Sequence, residues 1–372
     1  MNRKLGFGLM RLPLLDKDDE TSIDMNLFKH MVDSFIAQGF TYFDTAWMYC
    51  GEKSEEAVKE AIVSRYPRDA FTLTTKLPAY MLKCESDRDW LFNEQLRKTG
   101  AQYFDYYWLH DVNSQTVKTF DELHCWDFLT EKKDAGLVKH IGFSYHDGPE
   151  LLEKILTKHP EIEYVQIQLN YLDWDSIGIQ SRRCYEVATS HNKPVIVMEP
   201  VKGGTLAKIP EEAEKLLNSL NPEMSVPSWA IRFAASKENV FMVLSGMSNM
   251  EQLIDNTSYM KDFVPLSDAE EKAVFNVADI INRKIAIPCT GCSYCTVNCP
   301  KNISIPKFFS LYNTEMLEDS SKNWTPQGGY YERLTIDFGK ASDCVGCGQC
   351  EGMCPQHLPI RKYLKMVAEK FE

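Results

Sequence analysis

Gly39-Phe-Thr-Tyr-Phe-Asp-Thr-Ala-Trp-Met-Tyr49 is a β-branched and aromatic run that breaks off at an acid, with a phenol five residues further on. A run of that composition reads as a buried strand, so Asp44 and Tyr49 fall just past a strand end. The pattern recurs twice downstream: Phe71-Thr-Leu-Thr-Thr-Lys76 closes on a lysine and Phe104-Asp-Tyr-Tyr-Trp-Leu-His110 on a histidine. Five more strand-like runs bring the number to eight: the opening Gly6-Phe-Gly-Leu stretch, Val138 to Ser144, Tyr164 to Leu169, Pro194 to Glu199 and Val240 to Ser245.

Helical stripes separate these runs. Phe28, Met31, Val32, Phe35 and Ile36 recur at i, i+3, i+4, i+7 and i+8, the apolar face of one helix. Ser54 is an N-cap residue type ahead of Glu55 and Glu56, with Ala57, Val58, Ala61 and Ile62 as the buried side of a second. Further helices are expected around Trp90 to Thr99 and Phe120 to Ala135, the latter stopped by Gly136. Ser267 and Glu270 form a capping-box pair opening a helix to about Asn282. Strand and helix alternating eight times predict an α/β fold, a (β/α)8 TIM barrel with its site at the C-terminal ends of the strands. The rival, a doubly wound sheet, announces its nucleotide site with G-x-G-x-x-G, and this sequence has none.

The strand-end residues belong to one chemistry. A tyrosine is a weak acid, with an ordinary pKa of about 10, and an ammonium beside it favours the phenolate. Lys76 is placed to supply that charge and Asp44 to keep the buried ammonium protonated. With His110 orienting a carbonyl oxygen, Tyr49 becomes a general acid for an alkoxide formed as hydride arrives at carbon.

The 372 residues are 44% hydrophobic and 25% charged, enough for one large and one small soluble domain. A net charge of −12 without a Lys/Arg run argues against nucleic-acid binding. No apolar run reaches the roughly 18 residues of a membrane span, and Met1-Asn-Arg-Lys-Leu-Gly6 lacks the apolar stretch of a secretory signal. No membrane association and a cytoplasmic location are therefore expected. Cys50, Cys84, Cys125 and Cys184 are scattered and read as ordinary thiols.

The other eight cysteines form two runs, Cys289-x2-Cys292-x2-Cys295-x3-Cys299-Pro300 and Cys344-x2-Cys347-x2-Cys350-x3-Cys354-Pro355. This is the bacterial ferredoxin spacing, repeated, and it predicts two [4Fe-4S] clusters. The fourth cysteine of each run ligates the other cluster, giving the sets Cys289, Cys292, Cys295, Cys354 and Cys344, Cys347, Cys350, Cys299. Zinc prefers two separated pairs and fits less well. Gly291 and Gly346 inside the runs allow either a tight turn or a close approach of backbone N–H to sulfur. The segment Ile305-Pro-Lys-Phe-Phe-Ser-Leu-Tyr312 reads as a helix start, so the tail is expected to be a small, mainly α-helical ferredoxin-like domain. The short tail is expected to hold little apolar core without metal, so with fourth ligands exchanged a defect in either run should unsettle both clusters. The domains are drawn at residues 1–283 and 284–372.

Asp44, Tyr49, Lys76 and His110 occur in the order and settings of the aldo/keto reductase tetrad, and residues 4 to 275 resemble that family. Gly6-Phe-Gly-Leu-Met-Arg11, Gly51-Glu-Lys-Ser54 and Ile141-Gly-Phe-Ser144 extend the resemblance, which also covers the reductases that carry a two-cluster ferredoxin tail. It implies an NAD(P)H-dependent oxidoreductase acting on a small-molecule carbonyl or alcohol. It further implies that Ser144, Tyr145 and Gln166 hold the nicotinamide amide, with Gln168 alternating beside Gln166 on the same strand face. Met198 falls where many members stack an aromatic on the nicotinamide. Gly246 and Gln252 fall where basic residues grip the 2′-phosphate of NADP, and Asn256 completes the adenosine segment.

Two further readings stand beside the reductase. One is a redox-sensing or electron-transfer subunit that keeps the barrel only to bind nucleotide; the other is a reductase whose clusters are structural. Hydride moves two electrons and each cluster one, so exchange with a redox protein partner needs a converter. A flavin would serve, but the sequence carries no flavin signature. Trp47, Tyr80, Trp174 and Trp229 are aromatics able to line a substrate pocket or the core.

Overall fold

The strand-like runs fold as eight short strands: β1 (Leu5–Gly8), β2 (Tyr42–Asp44), β3 (Thr72–Pro78), β4 (Phe104–Val112), β5 (Val138–Tyr145), β6 (Tyr164–Gln168), β7 (Val195–Met198) and β8 (Val240–Gly246). Each pairs in parallel with the next, and β1 closes on β8 to complete the barrel. The computed structural model describes residues 3–283, 286–289, 291–317, 324–354 and 357–372. No described helix is long and apolar enough to cross a membrane.

Alternation along the strands decides what the barrel encloses. Phe7 and Phe43 turn outward, where Phe7 meets Phe28 and Phe35 of the helix Met25–Ala37 at ring separations of 6.1 and 5.5 Å. Side chains one residue away point the other way. Tyr42, Tyr106, Trp108, Met242 and Leu244 accordingly gather inside, with Ile196, into a buried aromatic-rich plug. Thr74 joins them by donating its hydroxyl proton to Tyr42 Oη at 2.9 Å. Two residues further along each strand, the same inward face presents Asp44, Lys76 and His110. The register sets Asp44 beside Thr74, Lys76 beside Trp108 and Pro78 beside His110. The three polar groups therefore sit directly above an apolar floor, at the C-terminal end of the barrel.

The structure departs from two local expectations. Ser54 does not cap a helix: it is fully buried inside the first turn of Ser54–Val58, bonding Thr45 Oγ1 at 2.7 Å and donating to Leu9 O at 3.0 Å. Its hydroxyl ties the loop after β1 to the loop after β2. The single helix expected over 120–135 is two, Val117–Glu122 and Cys125–Asp134, broken at His124, whose φ is 48°. Buried Arg88 holds the break open by donating Nη1 to the carbonyls of Leu123 and His124.

Residues 171–182, 202–226 and 269–372 pack as a compact unit of their own, separate from the unit that contains the barrel strands. The domain boundary expected at 283 adjoins residues 284 and 285, which lie outside the described residues. Helices Ile305–Glu315, Pro326–Asp337 and Ile360–Phe371 of this second unit bury Ile303, Phe308, Phe309, Tyr331, Leu364 and Val367 against one another. The expectation of a tail with little apolar core is thus corrected. At roughly 1.5–3 kcal/mol for each large apolar side chain buried, the helices have a source of stability besides metal.

Candidate active site and cluster sites

Lys76 is fully buried, and its ammonium has acceptors for all three protons: Asp44 Oδ1 at 2.5 Å, Thr45 O at 2.8 Å and Tyr49 Oη at 3.3 Å. A neutral amine has only two protons to give, so the arrangement suits the charged form. Burial works against that charge, and Asp44 together with Tyr49 more than restores it, raising Lys76 above the ordinary lysine value. Burial also raises Tyr49, and Lys76 offsets part of that rise. The expectation that Lys76 leaves the phenol below its ordinary value is therefore not met, because burial outweighs the ammonium. The phenol keeps its proton, while the ammonium stands ready to stabilise the phenolate once the proton has gone.

His110 lies edge-on to Tyr49, with ring centroids 5.9 Å apart. Burial, reinforced by the Lys76 charge, lowers its pKa from 6.5 to about 3, so it is neutral in ordinary buffers. A neutral imidazole can donate one hydrogen bond to a carbonyl oxygen without competing as an acid. The pH profile of kcat/KM for carbonyl reduction is accordingly expected to lack a histidine inflection between pH 5 and 8. Because the folded-state value is depressed, His110 favours unfolding as pH falls below 6.5, an effect complete near pH 3. An inflection near pH 6.5 that disappears in His110→Gln would refute the neutral assignment.

The turn carrying Tyr49 is strained. Cys50, Gly51 and Glu52 all have positive φ (52°, 56° and 67°), and a Cβ on Gly51 would lie 2.5 Å from Thr21 Cγ2. What holds it is a buried network that the sequence did not disclose. Glu55 Oε1 accepts from Thr75 Oγ1 at 2.7 Å and Gln95 Nε2 at 2.8 Å. Gln95 Nε2 also reaches Lys76 O at 2.9 Å, and Tyr107 donates to Gln95 Oε1 at 2.7 Å. Lys98 pairs with Glu55 at 3.3 Å, bonds Glu52 O at 2.8 Å and sits 4.0 Å from the centre of the Trp47 ring. One carboxylate thus links the backbone of Lys76 to the Tyr49 turn. Glu55→Ala leaves Lys98 buried without its carboxylate and is expected to cost about 3 kcal/mol, by the penalty for breaking a buried pair. Urea denaturation checks this, and a loss under 1 kcal/mol would mean that the pair is dispensable.

The residues assigned to dinucleotide separate into two groups. Ser144 and Gln166 are buried directly opposite each other on β5 and β6. Ser144 Oγ accepts from Asp111 N at 2.8 Å, and Gln166 Oε1 has no hydrogen-bond partner among the described residues. An orphaned acceptor beside a hydroxyl suits a carboxamide. Gln168 instead lies opposite Met198, which ends β7. The Tyr145 hydroxyl is engaged by Gly148 O at 2.5 Å. Gln252 Oε1 accepts from Ser248 N at 2.7 Å at the start of the helix Met250–Met260. Asn256 donates to Ser245 Oγ at 2.9 Å and accepts from Tyr259 at 2.7 Å. Those side chains serve the protein itself, and Gly246 is exposed, where an added Cβ would stand 3.4 Å from Arg11 Cβ. Arg11 also pairs with Glu199 at 3.2 Å, joining the loop after β1 to the end of β7, a pairing that no local pattern in the sequence indicated. Of the four aromatics, Trp229 and Trp47 are buried and Tyr80 is exposed.

In the second unit the eight cysteines sort into two cavities. Cys289, Cys292, Cys295 and Cys354 line one, and Cys299, Cys344, Cys347 and Cys350 line the other. The fourth cysteine of each run crosses to the other cavity. Among the described residues no three His, Cys, Asp or Glu side chains converge closely enough to hold a single ion. Four sulfurs spread around a cavity fit a cluster better than a zinc ion bound at about 2.3 Å. Gly291 serves both roles suggested for it: its φ is 72° and its N–H meets Cys289 Sγ at 3.5 Å. Pro355 lies outside the described residues.

Residues 4–278 match the model of the aldo/keto reductase family, and residues 288–358 match that of the 4Fe-4S dicluster domain. Aldo-keto reductase family 1 member C21 of Rattus norvegicus is 27% identical over 272 residues, spanning 62% of this chain and 84% of that protein. The holo form of aldo-keto reductase AKR11C1 from Bacillus halodurans superposes with a TM-score of 0.59 at 23% identity, over 74% of this chain and 91% of its own. An aldo-keto reductase from Klebsiella pneumoniae in complex with NADPH gives a TM-score of 0.58 at 18% identity, over 74% and 90%.

Proposed function

The chain belongs to the aldo/keto reductase family and carries a 4Fe-4S dicluster domain, and on that premise we propose that it interconverts a small-molecule carbonyl and its alcohol above the ends of β2, β3 and β4. The observation that carries this reading is the Lys76 ammonium, held at once by Asp44 and against the Tyr49 hydroxyl. A bound nicotinamide dinucleotide supplies the hydride. Tyr49 holds a proton at Oη and gives it to the substrate oxygen, Lys76 stabilises the phenolate left behind, and Asp44 keeps Lys76 charged and in place. Neutral His110 orients the carbonyl oxygen. Ser144 and Gln166 take the carboxamide, a role supported by the orphaned Gln166 oxygen. We place the reductase part at 1–283 and the cluster part at 284–372, between the two family matches.

Anaerobic protein supplied with NADH or NADPH and a panel of aldehydes and ketones is expected to oxidise one nicotinamide for each alcohol formed. Absence of turnover with every pair would overturn the reading. The clusters would exchange electrons with a redox protein. The second reading, clusters as structural staples, draws on the burial of Cys295, Cys350 and Cys354 in the apolar core. Reversible reduction under potentiometric control separates the two.

A further inference from the structure

The two cysteine runs are alike in sequence, but the walls of their cavities are not. Around Cys289, Cys292, Cys295 and Cys354 the described lining is Ser293, Ile305, Pro306, Phe309, Leu358 and Ile360, with no charged side chain. Around Cys299, Cys344, Cys347 and Cys350 the lining includes Lys301 and Arg361. Arg361 is fixed there. Its Nε and Nη2 bond Glu351 Oε2 at 3.0 and 2.7 Å, and its Nη1 reaches Gly346 O at 3.3 Å. Arg361 stands on the cavity wall while Glu351, next to Cys350 in the chain, does not, so the cation rather than its partner lines the site.

Cluster potentials follow net charge, hydrogen bonds to sulfur and solvent exposure. Hydrogen bonds to sulfur are matched: each cavity has a backbone N–H on a sulfur, Gly291 on Cys289 at 3.5 Å and Ile303 on Cys299 at 3.4 Å. Each set also has one exposed cysteine, Cys292 and Cys347, with two buried in the first set and one in the second. The difference in kind is charge. Reduction adds negative charge, and a guanidinium cannot be deprotonated in a protein, so the nearer cation favours the reduced state.

We propose that Arg361, assisted by Lys301, makes the cluster on Cys299, Cys344, Cys347 and Cys350 the easier of the two to reduce, and hence the site where a first electron rests. The proposal depends on the ligand sets given above. Electrons arriving at the cluster with the uncharged wall would pass downhill to the one lined by Lys301 and Arg361, which gives the pair a direction.

EPR-monitored potentiometric titration of the anaerobic full-length protein, with iron and sulfide analysis of each sample, tests it. The wild type should show two one-electron midpoints. In Arg361→Gln only the upper should fall, by about a tenfold change in equilibrium constant, or about 59 mV. Glu351→Gln, which removes the counter-charge, should raise the upper midpoint. An upper midpoint unmoved in Arg361→Gln, or a shift of the lower one instead, would overturn the proposal. Should that variant fail to load iron, Lys301→Gln on an exposed residue reads the same field: a fall supports the proposal and no shift defeats it. A wild type in which both clusters, confirmed by iron analysis, reduce at one midpoint would also overturn the proposal.

Discussion

Replacing Tyr49 with Phe is expected to lower kcat for carbonyl reduction by about 10²–10⁴-fold, the usual worth of a positioned general acid, and to leave dinucleotide affinity within about twofold. The substitution removes one hydroxyl and keeps the ring. Lys76 retains Asp44 Oδ1 and Thr45 O as partners, so its charge and position survive. Ser144 and Gln166 lie on β5 and β6, away from the altered turn, and should bind the carboxamide as before. The lost element is the proton at Oη, which burial holds on the oxygen until an alkoxide needs it. Stopped-flow turnover and fluorescence titration with NADH and NADPH, run in parallel, separate the two effects. Retention of more than a tenth of the activity would move the general acid elsewhere. A matched loss of affinity would instead mean that the hydroxyl positions the dinucleotide.

The parts of this molecule legible in the sequence are those written in one strand or one motif. Asp44, Lys76 and His110 could be found because each ends a buried run, and the period of two along β2, β3 and β4 turns all three inward over the Tyr42, Tyr106 and Trp108 plug. The cysteines were legible because spacing alone distinguishes a cluster run. What stayed hidden depends on segments far apart in the chain. Ser54 looks like a helix cap because nothing local reveals that Leu9 O and Thr45 will close over it. Gln95 carried a faint signal, a polar residue on the apolar face of Leu91, Phe92 and Thr99, yet its partners Glu55 and Lys76 come from other elements. The apolar core of the second unit was missed for the same reason. Ile303, Tyr331 and Val367 are scattered along the sequence, and only the packing of three helices joins them.

That core alters what should follow from Cys354→Ala. With little apolar packing, removing one ligand would unsettle the whole tail, but Phe308, Phe309, Tyr331, Leu364 and Val367 are buried together in an apolar core that the lost ligand leaves in place. The expected result is selective. Cys354 lines the cavity of Cys289, Cys292 and Cys295, so the cluster of the first run should be lost or altered, with about half the iron gone. The cluster on Cys344, Cys347, Cys350 and Cys299 keeps its four thiolates and should remain. Cys299→Ala should do the reverse, removing the cluster of the second run while sparing that of the first. Each substitution therefore damages the cluster named for the other run. Iron analysis and low-temperature EPR read the outcome, and redox titration tells which midpoint has vanished: the lower in Cys354→Ala and the upper in Cys299→Ala. Loss of the upper midpoint alone in Cys354→Ala would mean that each run binds its own cluster, and the exchange of fourth ligands would be wrong. Loss of both clusters in either variant would mean that metal, rather than the helices, holds the two loops in place.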